Sequence, residues 1–274
     1  MDSIKDKYLN EGYTLVWHDE FDGDTLNTED WNVELHEPGW VNEELQRYTA
    51  LEDGNIELGN GSLYLKPHYE GAASGGDIRA DVNDKKLVIT SGRITTQNKH
   101  DFKYGRFEAR VKVPRGKGYL PAFWLMATDE PFYGQWPRCG EIDIMEVMGH
   151  ETDKSYHTIH YGYNAAEGHR ENQGSLTLDG GDFADDYHVF RLDWEEKSLT
   201  WYVDDKKVFS TSDWFSGEDE NKRLPYPAPF DQNFYIILNL AVGGSWVGYP
   251  DDEAFSHMNK DSFAVDYVRL YQHN

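Results

Sequence analysis

The chain has 274 residues, with nine Trp, eighteen Tyr, a single Cys and a formal net charge of −24 at pH 7. This length suffices for one large domain with an ample core, and the charge argues against nucleic acid, anionic membranes and sulfated polysaccharides, whose anionic groups it would repel. The lone Cys139 excludes an internal disulfide, and the chain contains no apolar run long enough to be a membrane-spanning helix.

The first part of the chain alternates apolar and polar residues in short runs, which is typical of β-strands. Predicted strands cover residues 13–21, 55–66, 87–96 and 102–113. A Gly-Asn-Gly turn at 59–61 makes the second of these runs a hairpin. Residues 24–31 predict a capped turn or a single helical turn, whereas the Gly-, Ala- and Asp-rich residues 70–84 predict a loop.

Three carboxylates alternate with aliphatic residues in residues 136–149, which read Trp-Pro-Arg-Cys-Gly-Glu-Ile-Asp-Ile-Met-Glu-Val-Met-Gly. In a strand, Glu141 and Asp143 share one face, but Glu146 falls on the opposite parity. One extra residue at Met145, accommodated in a β-bulge, would bring all three acids to one face. The same bulge would direct the aliphatic side chains into the core: Ile142, Ile144 and Val147.

The spacing of these acids suits glycoside hydrolysis. The α-carbons of Glu141 and Glu146 would lie roughly 13 Å apart, and side chains leaning together would bring the carboxyl groups to about 5–5.5 Å, as in retaining glycosidases. The charge of Asp143 between them would help keep one carboxyl protonated. Trp136 offers an aromatic platform for the apolar face of a sugar. A solvated strand face and a site for a hard cation are the alternatives that the acids alone leave open.

The rest of the chain continues the β pattern. Further predicted strands cover residues 118–126, 158–162, 187–194, 199–204, 207–209 and 263–271, and residues 234–246 predict a strand that runs into a glycine turn. Residues 212–229, rich in charge and proline, predict a surface loop rather than a linker. Many short strands without a linker or an internal repeat predict one domain over residues 1–274, an all-β sandwich with less than about a tenth helix.

Residues 140–146, preceded by Trp136 and Pro137, resemble the active-site strand of glycoside hydrolase family 16. The bulged form with the extra Met resembles that of laminarinase-type endo-β-1,3-glucanases and β-1,3(4)-glucanases. The resemblance covers nearly the whole chain. It includes the N-terminal Val-Trp-His-Asp-Glu-Phe-Asp-Gly at 16–23, and Leu-Asn-Leu-Ala-Val-Gly-Gly at 238–244 followed by Trp246.

The resemblance implies a β-jelly-roll sandwich of two antiparallel sheets with a concave substrate cleft. It also implies a retaining endo-glycosidase that hydrolyses β-1,3-glucosidic linkages in laminarin-like or mixed-linkage β-glucans without a cofactor. Glu141 would be the nucleophile, Asp143 the assisting carboxylate and Glu146 the acid/base. The alternatives are a mixed-linkage β-1,3/1,4-glucan preference, a transglycosylase with the same residues, and a non-catalytic β-glucan-binding sandwich.

The resemblance further implies a set of substrate contacts: Asn42, Arg93, Trp124, Trp136, His160 and Trp246. His160 is expected near the acid/base residue. Leu120 departs from the family pattern, where Trp is common, and this weakens any expectation of an aromatic contact at that position.

Relatives also bind a structural Ca²⁺, and the matching groups here are Glu20, Asp266 and a carbonyl near Gly61. We expect Cys139 to be a packed residue rather than a nucleophile. We also expect that the protein is a monomer and that its partner is a neutral β-glucan. We expect no binding to nucleic acid or to a membrane. Because a polymer must be met outside the cytoplasm, we expect a secreted, periplasmic or cell-surface protein whose export signal has been removed.

Overall fold

Two large antiparallel sheets form most of the computed structural model, which describes residues 4–72, 75–163 and 168–273. Strands make up 45% of the chain and helices 9%, which confirms the prediction of an all-β sandwich. The strands, in chain order, are β1 (Tyr13–Asp19), β2 (Asn32–Val33), β3 (Gln46–Tyr48), β4 (Ile56–Gly59), β5 (Ser62–Leu65), β6 (His68–Gly71), β7 (Leu87–Ser91), β8 (Arg93–Thr95), β9 (Asp101–Phe102), β10 (Gly105–Lys112), β11 (Tyr119–Ala127), β12 (Glu141–Val147), β13 (Lys154–Gly162), β14 (His169–Thr177), β15 (His188–Glu195), β16 (Ser198–Val203), β17 (Lys206–Thr211), β18 (Phe234–Val242) and β19 (Phe263–His273).

The sheet that contains the acidic strand β12 is called the front sheet, and its strand order is β14-β13-β12-β11-β18-β8-β2, with β9 also paired to β18. The back sheet has the order β17-β16-β15-β10-β19-β5-β4, with β1 also paired to β19. Strands that are distant in sequence lie side by side in both sheets, as is typical of jelly rolls. The acidic strand is therefore flanked by strands on both sides, which hold it in place.

A small third sheet, β3-β7-β6, contains the parallel pair β3 and β7. The described residues also form three short α-helices, α1 (Ile78–Asn83), α2 (Glu130–Tyr133) and α3 (Asp252–His257), and 3₁₀ turns at Leu9–Glu11, Leu51–Asp53 and Met258–Lys260. No helix in this part of the chain has the length and apolar character needed to cross a membrane.

The core lies between the two large sheets and follows from the alternation of side chains along their strands. Ile142 and Ile144 of β12 are fully buried, as are Trp194 and Trp201 of the back sheet. All four belong to one continuous apolar cluster. Because one face of β12 is committed to this core, its polar residues must point away from it.

One sequence prediction differs from the structure. The loop predicted at 70–84 contains α1, because the Asp77 side chain accepts a hydrogen bond from the Arg79 amide and so caps the helix; Ala73 and Ser74 lie outside the described residues. Residues 24–31 form turns, which agrees with the predicted turn and not with the alternative of a single helical turn. Cys139 is buried, as predicted, and burial raises the pKa of its thiol to about 12.

Candidate active site

The antiparallel register of the front sheet places the acids of β12 among polar and aromatic neighbours. Residues directly opposite each other in a sheet point to the same face, so each acid shares its face with a residue of β11 and one of β13. These cross-strand neighbours are, for Glu141, Met126 and His160; for Asp143, Trp124 and Thr158; and for Glu146, Ala122 and Tyr156. The three acids therefore form one row on the outer face of the front sheet.

The predicted bulge is confirmed. Between Asp143 and Glu146, which are both paired to β13, Ile144 and Met145 face only the single residue His157. This extra residue shifts the parity of the strand and returns Glu146 to the face of the other two acids.

Two core side chains hold the bulge from the interior. The His157 ring donates from Nδ1 to the Ile144 carbonyl at 2.8 Å and accepts at Nε2 from the Ser155 hydroxyl at 3.0 Å. The Trp201 indole donates to the Asp143 carbonyl at 2.9 Å. Burial lowers the pKa of His157 to about 4, so the ring is neutral in this position. The backbone that aims Glu146 is thus fixed by hydrogen bonds from beneath.

Glu141 receives support from two neighbours. The Trp136 indole donates to Glu141 Oε2 at 2.7 Å, and His160 Nε2 lies 3.9 Å from Glu141 Oε1. Burial and the charge of Asp143 raise the pKa of Glu141 to about 8, while His160 and the Trp136 hydrogen bond oppose that rise. These two contacts favour the ionised form of Glu141.

Glu146 lacks comparable support. Among the described residues, no side chain donates a hydrogen bond to its carboxyl group. Burial, followed by the charges of Asp143 and Glu141, raises the pKa of Glu146 well above its ordinary value. Burial thus raises the pKa of both glutamates, and because only Glu141 accepts a hydrogen bond from a described side chain, Glu141 is the better placed of the two to carry the negative charge.

Asp143 is 3% exposed, and its Oδ2 has no hydrogen-bond partner within the described chain. This oxygen lies 3.3 Å from His160 Nε2, close enough for a charge interaction. Burial opposes a positive charge on His160, yet Asp143, Glu141 and Glu146 together raise its pKa to about 10. The resemblance placed His160 near Glu146, but the register places it opposite Glu141 and next to Asp143.

On the β8 side of the acids, Arg93 is buried rather than presented to solvent. It is 5% exposed, and its Nε donates to Glu34 at 2.5 Å. Its guanidinium lies 5.0 Å from the Trp124 ring and 5.3 Å from the Trp40 ring, while the Trp124 indole donates to Asn239 at 2.7 Å. These contacts hold the side chains of Arg93 and Trp124 in place beside the acids. A direct contact between Arg93 and a sugar stays a prediction.

Asn42 and Trp246 lie on two loops that contact each other. The Asn42 carbonyl accepts from the Ser245 amide at 2.9 Å, and the Asn42 side chain donates to Glu44 at 3.3 Å. Trp246 is 45% exposed and meets the Tyr156 ring edge-on at 5.2 Å. Since Tyr156 is the cross-strand neighbour of Glu146, Trp246 lies near the acids, and its contact with a sugar stays a prediction.

The residues expected to bind Ca²⁺ are engaged by arginines. Arg269 donates to both oxygens of Glu20 at 2.8 and 2.6 Å, and Arg110 donates to Asp266 at 2.7 Å. Gly61 lies in the turn between β4 and β5. Two guanidinium groups at these carboxylates do not fit a bound cation, so a calcium site here stays a prediction that requires both ion pairs to open.

Several residues around the acids were not predicted from the sequence. Trp40 is 49% exposed, stacks on His36 at 3.4 Å and extends the aromatic platform. His169 Nε2 lies 2.9 Å from His160 Nδ1. The burial of His157 could have been predicted, because it lies three strand positions before His160. Side chains alternate between the two faces of a strand, so His157 must face the core when His160 faces away from it. The other contacts depend on the conformation of the loop at Trp40 and on the pairing of β13 with β14, and no short run of residues gives a pattern for them.

Several known proteins are similar to this chain in sequence and in structure. Residues 46–261 match the family described as Glycosyl hydrolases family 16. A glucan endo-1,3-beta-glucosidase from Cryptopygus antarcticus is 38% identical over 97% of this chain and 95% of its own length. Glucan endo-1,3-beta-glucosidase A1 from Niallia circulans is 36% identical over 95% of this chain, which spans 38% of that relative. The endo-beta-1,3-glucanase structure from Pyrococcus furiosus matches with a TM-score of 0.77 and 35% identity, covering 95% of this chain and 94% of that one.

Proposed function

The chain belongs to the glycosyl hydrolases of family 16, and from this premise we propose that it is a retaining endo-glucanase that cleaves β-1,3-glucosidic linkages. The observation that carries the proposal is the difference between two acids on one face of β12. Glu141 accepts a hydrogen bond from Trp136, whereas no described side chain donates to Glu146. A retaining glycosidase needs such a pair, one carboxylate and one carboxylic acid.

In the first step, Glu141 attacks the anomeric carbon while Glu146 gives its proton to the departing glycosidic oxygen. The product is a covalent glycosyl-enzyme. In the second step, Glu146, now ionised, takes a proton from water, and the resulting hydroxide displaces Glu141 at the same carbon. Asp143 lies between the two carboxyl groups, and its negative charge favours the transfer of the proton from water to Glu146 in the second step.

The substrate is a neutral glucan. A chain with a net charge of −24 repels sulfated polymers, and the relatives named above are glucanases of β-1,3 linkages. Exposed rings at Trp40 and Trp246 offer apolar faces on which sugar rings stack. We assign Asn42 and Trp136 to sugar contact as well, and place the monomeric enzyme outside the cytoplasm, where it would meet a polymer.

A digestion panel tests this proposal. Purified enzyme is incubated with laminarin, barley mixed-linkage glucan, cellulose, agarose and carrageenan, and the product linkages are determined. We expect release of β-1,3-linked oligosaccharides from laminarin, with little or no release from agarose and carrageenan. Faster cleavage of mixed-linkage glucan than of laminarin would transfer the assignment to a β-1,3/1,4-glucanase.

The Glu141→Gln variant serves as the matched control for contaminating glucanases. A preparation in which this variant and the native chain release no sugar from any glucan, while both bind laminarin, would indicate a binding sandwich instead.

A further inference from the structure

Two histidines and a glutamate converge beside the acids, on the β13–β14 pair. Glu171 lies directly opposite His160 in the register, and His169 lies two positions before Glu171 on the same face. His160 Nδ1 is 2.9 Å from His169 Nε2 and 3.7 Å from Glu171 Oε2. The cross-strand partner of His169 is Gly162, which has no side chain and so leaves room for the imidazole to lean toward His160.

These separations are close to those that a zinc site requires. Imidazole nitrogens bind Zn²⁺ at about 2.0–2.1 Å and carboxylate oxygens at about 2.0–2.2 Å, so ligand atoms of a tetrahedral site lie about 3.4 Å apart. The two measured separations at His160 lie on either side of this value. One ligand atom from each of His160, His169 and Glu171 lies within 4.8 Å of the other two. Small rotations of the three side chains would complete three corners of a tetrahedron.

Metal binding at His160 requires that Nδ1 lose its proton, and the other surroundings of the ring suit a metal ligand. Its second ring nitrogen, Nε2, lies 3.3 Å from Asp143 Oδ2, an oxygen with no hydrogen-bond partner in the described chain. Metal-binding histidines commonly turn their other ring nitrogen to a carboxylate, which orients the ring. Trp136 packs against His169 with ring centroids 4.9 Å apart, and the Glu171 side chain is 53% exposed, so an ion can enter from solvent.

We propose that His160 Nδ1, His169 Nε2 and a Glu171 carboxylate oxygen form a site for a divalent transition-metal ion, with Zn²⁺ the best fit. The site is separate from the pair Glu141 and Glu146. A fourth position stays open to water. The bound ion inhibits hydrolysis, because its positive charge stabilises the nearby Glu141 carboxylate and weakens its attack; this part rests on the proposed function.

Metal binding is tested without substrate, by calorimetric titration of the whole chain with zinc chloride. We expect one saturable ion per chain, and we expect His169→Ala and Glu171→Ala to weaken binding by at least about tenfold. His68→Ala, which removes a histidine from the third sheet, and Glu141→Gln should bind Zn²⁺ as the native chain does. Circular dichroism checks that each variant is folded.

Three results would overturn the proposal: no saturable binding by the native chain, native affinity in His169→Ala, or loss of binding in Glu141→Gln, which would place the ion among the acids. Inhibition is measured separately on laminarin, with reversal by a chelator. Binding as predicted together with inactivity toward every glucan would refute the proposed function and leave the metal site standing.

Discussion

Each of the two large sheets contains buried acidic residues, and the two sets differ in the hydrogen-bond donors around them. On the back sheet, the fully buried Glu108 accepts hydrogen bonds from Lys7 at 2.8 Å, from Tyr267 at 2.9 Å and from the Tyr8 hydroxyl. On the front sheet, the similarly buried Asp143 has an oxygen without a hydrogen-bond partner in the described chain, and no described side chain donates to Glu146. The back-sheet acid is neutralised by its neighbours, whereas the front-sheet acids repel one another.

The comparison indicates which buried charges serve stability and which serve chemistry. A buried carboxylate with several donors is typical of a structural network. Buried carboxylates that lack donors and lie close together raise one another's pKa, and the fold must hold them there at a cost in stability.

The largest expected effect is on catalysis at the front sheet. Glu141→Gln removes the nucleophile, so the hydrolysis rate of laminarin should fall by at least about 10³-fold. The same change removes one of the mutually repelling charges, so the melting temperature should stay the same or rise. Rate assays and a thermal melt on the same preparation check both parts. A marked fall in melting temperature would show that Glu141 contributes to stability as Glu108 does.

The converse change belongs to the back sheet. Glu108→Ala leaves buried donors of Tyr8 and Tyr267 without an acceptor, and it should lower the free energy of unfolding by about 4 kcal/mol. The folded fraction should keep its activity on laminarin, since Glu108 lies on the sheet opposite the acids. Urea unfolding measures the change. Native stability combined with lost activity would show that Glu108 serves catalysis and not stability.

A pH-dependent contribution to stability is expected from His157, which holds the bulge. Its folded pKa of about 4 lies below its ordinary value of 6.5, so the unfolded chain binds the proton first as pH falls. The stabilisation is fully present above about pH 6.5 and is lost between there and pH 4, by on the order of 3 kcal/mol.

The matched variant is His157→Gln, whose amide can also donate and accept hydrogen bonds but does not titrate. Urea unfolding of both proteins at pH 7, 6, 5 and 4 removes the shared effect of the carboxyl groups. Parallel pH curves for the two proteins would contradict the neutral, buried state of His157.

The smallest effect is expected at two arginine–aromatic pairs, one on each large sheet. On the front sheet, Arg93 lies 5.3 Å from Trp40, which is 49% exposed; on the back sheet, Arg106 lies 4.4 Å from Tyr13, which is 5% exposed. Trp40→Ala should raise the KM for laminarin about three- to tenfold with little change in kcat, because an aromatic contact contributes about 0.5–1.5 kcal/mol. Tyr13→Ala should lower stability and leave KM unchanged. An equal change of KM in both variants would remove Trp40 from the sugar-binding surface.

The sequence predicted the fold and the acidic strand because both depend on local patterns. Strict alternation places the side chains of β12 on two faces. Glu146 departs from that alternation, and one extra residue at Met145, accommodated in a bulge, is the one simple way to restore it. The glycine-rich turns and the apolar runs of the other strands mark their ends in the same local way. Family membership, the all-β class and the bulge were accordingly confirmed.

The surroundings of the acids could not be predicted in the same way. Trp201 reaches the Asp143 carbonyl across 58 positions of sequence, and Lys7 reaches Glu108 across 101. Such contacts depend on strand order and sheet packing, which no short window of sequence encodes. The helix α1 was missed for a different reason, since glycine and alanine content outweighed the single capping signal at Asp77.

The roles of the two glutamates are tested most directly by the stereochemistry of azide products. With an activated aryl β-glucoside, Glu141→Ala opens space for azide to attack in place of the nucleophile, so the product should be a glycosyl azide of inverted configuration. Glu146→Ala still forms the glycosyl-enzyme, because an acidic phenol leaves without protonation, and azide should then give a product of retained configuration. The proposed mechanism predicts opposite stereochemistry from the two variants in this order. Exchanged outcomes would assign the nucleophile to Glu146, and native rates on laminarin in both variants would remove these acids from catalysis.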